Sequence, residues 1–275
     1  MIVAFQGEPG AYSETAIYEH YGEGAQTLPQ ESFDAVFAAV VEERSDAGFI
    51  PIENSLAGSI HRNYDLLLKH SLWVVGEHYL PVHHCLIARP GAALKDIRRV
   101  ISHPQALAQC ERRLREMGVA TEPVYDTAGS VKIISQQNDC STAAIASRRA
   151  ARLYGMDILI ENIEDNPNNI TRFLIIARQP LQPQGEAKTS IVFTLKNVPG
   201  SLFRAMSVFA LRDIDLTKIE SRPLIGAPWE YQFYIDFAGS TQDCVVQRAL
   251  AHLQEYALTL RVLGSYPRSE SPQQP

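Results

Sequence analysis

Apolar and polar positions follow one rhythm over most of the chain and another near its end. From residue 2 to about 177, short apolar runs alternate with stretches of helical period, the pattern of an α/β domain with mostly parallel strands. Ser32 opens the clearest helix. Its hydroxyl can cap first-turn amides, and Phe33, Val36, Phe37, Val40 and Val41 recur at the spacing of one buried stripe. The same signals predict helices at 66–69, at 105–117 closed by Gly118, and at 147–154 closed by Gly155. Strands are predicted between them at 48–52, 73–77, 82–88, 100–102, 143–145 and 173–177.

Residues 179–187 hold two prolines and a glycine with almost nothing to bury, and read as a linker. Beyond them the order becomes strand 189–195, helix 201–211, strand 216–221, strand 230–237, helix 242–254 and strand 258–263. This βαββαβ order is the ferredoxin-like arrangement. Each helix has an apolar face: Leu202, Phe203, Met206, Phe209 and Ala210 on the first, and Val245, Val246, Ala249, Leu250 and Leu253 on the second. The expected organisation is therefore a domain over 1–178, a linker over 179–187, a second domain over 188–267 and a polar, flexible tail over 268–275.

Composition narrows the function. A chain of 275 residues with 45% hydrophobic content can bury the cores of two domains. Its formal net charge of −6 argues against nucleic acid as a partner, because that binding relies on basic side chains neutralising phosphates. The densest basic run, Arg112 to Arg115, reads as the solvated face of a helix. No apolar stretch is long enough to span a bilayer, so no membrane partner is expected. The first residues, Met1 to Gly7, read as a strand and lack the leading positive charge of a secretion signal. The four cysteines, Cys85, Cys110, Cys140 and Cys244, form no CxxC pair, and are read as reduced thiols in a cytoplasmic protein with no metal site.

Several polar stretches fall just after predicted strands, where open α/β sheets place their ligand crevices. They are Gly7 to Ser13, Pro51 to Ser55, Ser102 to Gln105, Asp126 to Ser130 and Asn168 to Phe173. Those around Gln105 and Thr127 lead into helix starts, where free amides favour an anion. Each alone reads as a cap or turn, whereas five meeting at one crevice would form a site. The Gly7 to Gly10 segment lacks the Gly-Lys-Ser/Thr ending of a phosphate loop and reads as a tight turn. His83 and His84, as strand neighbours, point to opposite faces and read as structural.

Taken together, Asn169-Ile170-Thr171-Arg172-Phe173 resembles the Thr-Arg-Phe signature of prephenate dehydratases. Glu53-Asn54-Ser55 and Ser102-His103-Pro104-Gln105-Ala106 resemble that family's other catalytic blocks. Glu220-Ser221-Arg222-Pro223 resembles its phenylalanine-binding signature. Asn197-Val198-Pro199-Gly200-Ser201-Leu202-Phe203 falls where its Gly-Ala-Leu-Val block does, with Ser201 for alanine and Phe203 for valine. The resemblance implies a two-lobed α/β catalytic unit similar to type II periplasmic binding proteins, followed by a ferredoxin-like ACT regulatory domain of α+β type.

The implied reaction takes prephenate to phenylpyruvate with loss of CO2 and water, using no cofactor. Thr171 and Arg172 are the implied catalytic residues, Thr171 donating to the departing hydroxyl and Arg172 anchoring substrate charge. Phe173 reads either as a third member, lining the cleft, or as strand core. A threonine hydroxyl is a poor acid unaided, so either polarisation by Arg172 or a protonated Glu53 assists it, and Glu53 reads equally as a structural acceptor for a loop amide. Asn54, Ser55, Ser13, Gln105, Thr127, Ser130 and Asn169 complete the expected substrate-binding set. Asn197, Val198, Gly200, Ser201, Leu202, Glu220, Ser221, Arg222 and Pro223 form the expected effector set for L-phenylalanine, in a homodimer or homotetramer. Glu220 and Arg222 read equally as a structural ion pair. A dehydratase acting on arogenate and a non-catalytic small-molecule sensor are the competing readings.

Overall fold

The stripe that begins at Ser32 shows how local sequence sets an element. In the computed structural model, which describes residues 1–224, 226 and 229–270, a helix starts immediately after Ser32. Ser32 Oγ accepts from the Ala35 amide at 3.2 Å, and Val36, Phe37, Ala39 and Val40 are buried beneath it. Val41 falls outside the buried stripe and is 47% exposed.

The chain runs β1 (Ile2–Gln6), α1 (Tyr12–Tyr21), β2 (Gln26–Gln30), α2 (Phe33–Val41), β3 (Ala47–Asn54), β4 (Gly58–Ser59) and α3 (His61–Lys69). It continues through β5 (Trp73–Pro81), β6 (Cys85–Ala88), β7 (Arg99–Ser102), α4 (Pro104–Gln109), α5 (Glu111–Met117) and β8 (Ala120–Pro123). Next come α6 (Thr127–Gln136), β9 (Thr142–Ala146), α7 (Arg148–Leu153), β10 (Asp157–Ile160) and β11 (Ile170–Ala177). The last stretch is β12 (Ala187–Leu195), α8 (Ser201–Ala210), β13 (Leu216–Pro223), β14 (Tyr231–Ala238), α9 (Cys244–Tyr256) and β15 (Ala257–Pro267).

Two sheets make the two lobes of the α/β region. The first has the order β2-β1-β3-β11-β5 with β4 beside β3, and the second has the order β10-β6-β9-β7-β8. Pairing is parallel for β1 with β2 and β3, and for β7 with β8 and β9. The second sheet is nevertheless mixed, because β6 runs antiparallel to both β9 and β10.

The expected strand at 82–88 begins only at Cys85, since the residues before it bond to the returning crossover instead of a sheet. Val82 N donates to Asn169 O at 2.7 Å, and His84 N donates to Glu164 Oε2 at 2.8 Å. The helix expected over 105–117 is broken at Cys110. There the Asp165 carboxylate accepts the amides of Arg112 and Arg113 at 2.9 and 3.3 Å, capping a separate α5 and leaving Gln109 at the end of α4. Gly10 sits where no other residue fits, at φ +93° with its absent Cβ only 2.9 Å from Ala150 Cα. Ser147 Oγ donates to its carbonyl at 2.6 Å, which joins α7 to the turn before α1.

The third sheet, in the order β13-β14-β12-β15, is fully antiparallel and has the ferredoxin-like strand order. Ala205, Val208 and Phe209 of α8 and Val246, Ala249 and Leu253 of α9 pack on Ile191, Phe193, Ile235 and Phe237. Leu202, Phe203 and Val245, expected in these faces, are 39%, 76% and 44% exposed, and Ala210 is exposed too.

The chain forms two compact units whose border differs from the expected linker at 179–187. One holds Met1–Leu66 with His78–Phe173. The other holds Leu67–Glu77 with Leu174–Glu270, so β5 and β11 are both divided at their middles. Side chains explain why Leu67–Glu77 belongs with the second unit. The buried Lys188 ammonium meets both Glu77 carboxylate oxygens at 2.7 and 2.8 Å, and Arg261 donates to the carbonyls of Leu68 and His70. The first residues of the expected flexible tail are also held. Ser269 donates to the Glu77 carbonyl at 2.7 Å through its hydroxyl, and Arg268 N donates to Glu186 O. Residues 271–275 lie outside the described residues.

Candidate active site

A cavity of about 550 Å³ lies between the two lobes, and five helices begin on its wall, α3 among them through Ile60 and Arg62. Tyr12 and Ser13 line it from the first turn of α1, Ser32 and Phe33 from α2, His103 and Gln105 from α4, and Asp126 and Thr127 from α6. Each helix start carries roughly half a positive charge on its amides, so their meeting favours a small anion. Side chains cap three of the starts: Ser32; His103 Nδ1, accepting from Gln105 N at 3.2 Å; and Asp126 Oδ1, accepting from Gly129 N at 2.8 Å. No side chain caps α1.

Strand alternation decides which signature residues reach the cavity. On β11, Thr171 and Phe173 line it, together with Asn169 just before the strand; on β3, Asn54 does. Ser13, Gln105 and Thr127 also line it, as expected from the sequence. Phe173 is at the same time fully packed, its ring 5.3 Å from that of Phe49, so it both lines the cavity and belongs to the strand core.

Arg172 takes the opposite face of β11. It is 6% exposed, its guanidinium stands 5.9 Å from the centre of the Tyr79 ring, and it does not line the cavity. Glu53, next to Asn54 on β3, is likewise absent from the lining. Ser55 is a bridge in the backbone, with Oγ donating to Asn168 O at 2.8 Å and accepting from Ile170 N at 2.9 Å. Ser130 is fully buried and donates to Thr127 O within its own helix.

Further polar residues line the cavity. Arg62 of α3 brings a guanidinium to the cavity while pairing with Asp34 through Nε at 3.1 Å. Asp126 brings a carboxyl whose pKa burial raises above the usual range, against the lowering effect of the Gly129 amide. Tyr12, His84 and Gln109 form a hydrogen-bonded set, with Tyr12 Oη 2.6 Å from His84 Nδ1 and His84 Nε2 2.8 Å from Gln109 Oε1. Burial lowers the His84 pKa from its ordinary value and raises that of Tyr12 well above its own. The structural reading of the histidine pair holds for His83, whose Nδ1 lies 2.9 Å from Glu164 Oε1, but His84 faces the cavity. No local pattern marks His84 or Gln109, because both reach the cavity from a crossover and a helix end that only the fold creates.

Thr171 itself is held by an amide. Asn54 Nδ2 donates to Thr171 Oγ1 at 3.0 Å and to Asn169 Oδ1 at 2.7 Å. The hydroxyl oxygen is thus an acceptor within the protein, and its proton is available to a ligand. Among the described residues no group of three or more His, Cys, Asp or Glu side chains is arranged to hold a metal ion, and no helix is long and apolar enough to cross a membrane.

The expected effector residues lie in the second unit and fall into two groups. Asn197, Val198, Gly200, Ser201 and Leu202 line a cavity of about 350 Å³ at the start of α8. Glu220, Ser221, Arg222 and Pro223 lie on β13, an edge strand, and do not line it. On β13 exposure alternates, so Glu220 and Arg222 share the less exposed face, and Lys218 Nζ stands 4.0 Å from Glu220 Oε2.

Fold and site together define a two-lobed α/β enzyme whose cavity suits a small anionic substrate. The chain belongs to the prephenate dehydratase family, whose profile matches residues 3–181. It is similar to an Arabidopsis thaliana protein named arogenate dehydratase/prephenate dehydratase 2, chloroplastic, at 52% identity over 276 residues, covering 96% of this chain and 72% of that one. A solved structure titled as prephenate dehydratase in complex with L-Phe, from Arthrobacter aurescens, superposes with a TM-score of 0.89 at 33% identity over 98% of this chain and 90% of that one. Another, titled GqqA, a novel type of quorum quenching acylases, gives a TM-score of 0.91 at 36% identity over 98% of both chains. Membership makes this protein a hydro-lyase that couples dehydration to decarboxylation.

Proposed function

We propose that the protein converts prephenate to phenylpyruvate in the cavity of its first unit. The ring carboxylate leaves as CO2, its electron pair aromatises the ring, and the ring hydroxyl departs with a proton as water. The observation that carries this reading is the Thr171 hydroxyl, which faces the cavity while Asn54 donates to its oxygen, so that its proton is directed to the leaving group. The helix starts on the wall and Arg62 supply the positive potential a dianion needs. Arg172 then supports the strand from behind.

Arogenate is the second reading, because the relatives at 52% and 50% identity carry arogenate dehydratase in their names. Its ammonium would meet the Asp126 carboxyl and the Tyr12 phenol, both on the cavity wall. The acylase named for the GqqA neighbour requires a nucleophile with a base in reach. Thr171 Oγ1 accepts from an amide, Asn54 Nδ2, which speaks for a donor role instead.

The second unit acts as a phenylalanine-sensing ACT domain in this proposal, supported by its βαββαβ order and by the L-Phe of the Arthrobacter structure. Two or four copies associate to complete the effector site, and the protein works in the cytoplasm. Incubating purified protein with prephenate and separately with arogenate, each with and without phenylalanine, tests these points together. Aromatic product from neither substrate overturns the catalytic reading; a rate and mass distribution indifferent to phenylalanine overturn the regulatory one.

A further inference from the structure

We propose that His84 and Gln109 are positioning residues, part of one directional hydrogen-bond chain that fixes how both the Thr171 hydroxyl and the Tyr12 phenol face the cavity. The starting point is a pair of groups that can only donate. The backbone amides of Leu56 and Ala57 both point at Asn54 Oδ1, at 3.1 and 2.9 Å, so that atom must be the amide oxygen. Asn54 Nδ2 is therefore a donor, to Thr171 Oγ1 and to Asn169 Oδ1. It follows that Asn169 presents its NH2 group to Gln109 Oε1 at 3.1 Å. Gln109 Oε1 is then an acceptor, and His84 Nε2, 2.8 Å away, must carry a hydrogen.

The chain ends at the phenol. In the neutral ring that burial favours, a hydrogen on Nε2 leaves Nδ1 bare, and Tyr12 Oη stands 2.6 Å from it and 2.9 Å from the His83 carbonyl. Both neighbours accept, so the phenol proton is spent on the wall and the cavity receives an acceptor oxygen from Tyr12. Thr171, at the other end, gives it a donor. Two loop amides thus set opposite polarities at two points of the wall through four side chains. The chain also crosses between lobes twice, at Asn169 to Gln109 and at His84 to Tyr12.

This inference rests on Thr171 as the donor, but its primary test does not. Labelling the imidazole nitrogens of the full chain with ¹⁵N, and assigning His84 among the eight histidines by its loss in His84→Gln, reads the tautomer directly. Hydrogen on Nε2 with Nδ1 bare is expected at neutral pH; hydrogen on Nδ1 alone overturns the proposal. Turnover supplies the second readout. Gln109→Leu should lower kcat about tenfold, as expected for stranded buried donors, while Gln109→Glu, which still offers an acceptor oxygen, should recover most of that loss. Equal kcat in both variants overturns the chain whatever their folding. If instead Thr171→Val turns over both substrates normally, the donor role assigned to Thr171 falls, and the His84 tautomer still decides the chain independently.

Discussion

The cavity of the first unit and that of the second are held in shape by different means. In the first, the wall side chains bond to one another across long stretches of sequence: Asn54 to Asn169, Asn169 to Gln109, His84 to Tyr12. In the second, the cavity lies beside a loop of five residues before α8, where Asn197 Nδ2 reaches the Trp229 carbonyl at 3.2 Å and Gly200 adopts φ +81°. A reaction needs groups fixed to a fraction of an ångström, and the cross-linked wall of the first cavity supplies such fixing, whereas the second cavity is shaped by the backbone of one short stretch.

The sharpest way to break this comparison is at Thr171. Thr171→Val keeps the shape of the side chain and removes its proton; kcat for aromatic product should fall by on the order of 10²–10⁴, with an unchanged circular dichroism spectrum. A smaller loss would mean that the fixed hydroxyl is not what the first cavity is built around.

The second unit has its own rigid feature, distant in kind from its cavity. Lys188→Met leaves Glu77 buried without its ammonium, and should cost about 3–5 kcal/mol in urea unfolding; adding Glu77→Met should restore much of this. The loop beside the second cavity should respond more mildly. Gly200→Val forces a branched residue into the left-handed region, and phenylalanine binding measured by calorimetry should weaken about tenfold, the cost of roughly 1–2 kcal/mol of strain.

The smallest effect is one of pH. Burial lowers the His84 pKa below 6.5, so below that value the unfolded chain binds more protons than the folded one. Stability contributed by neutral His84 is therefore complete above about pH 6.5 and is lost as pH falls toward the folded pKa. His84→Gln should flatten that part of the unfolding free energy against pH.

Much of the fold was legible because it depends on near neighbours. Ser32 and its stripe gave α2, and the strand and helix order of the last eighty residues gave the ferredoxin-like sheet. Errors arose where distant residues intervene. Asp165 breaks the helix at Cys110, and Glu77, which sequence assigned to the first domain, is tied to Lys188 of the second unit. Of the expected cavity residues, Thr171, Phe173, Asn54, Asn169, Ser13, Gln105 and Thr127 face it; Arg172, Glu53, Ser55 and Ser130 do not.

By itself the sequence determined the family, the order of elements and the helix starts, because signature letters, caps and periodicity act over a few residues. Only the tertiary structure decided which face of β11 meets the cavity, and it alone brought Arg62, His84 and Gln109 to the cavity wall. The physical reason is that a hydrogen bond such as Asn54 to Asn169 joins residues 115 apart, and its direction comes from backbone amides that no local pattern connects to Thr171.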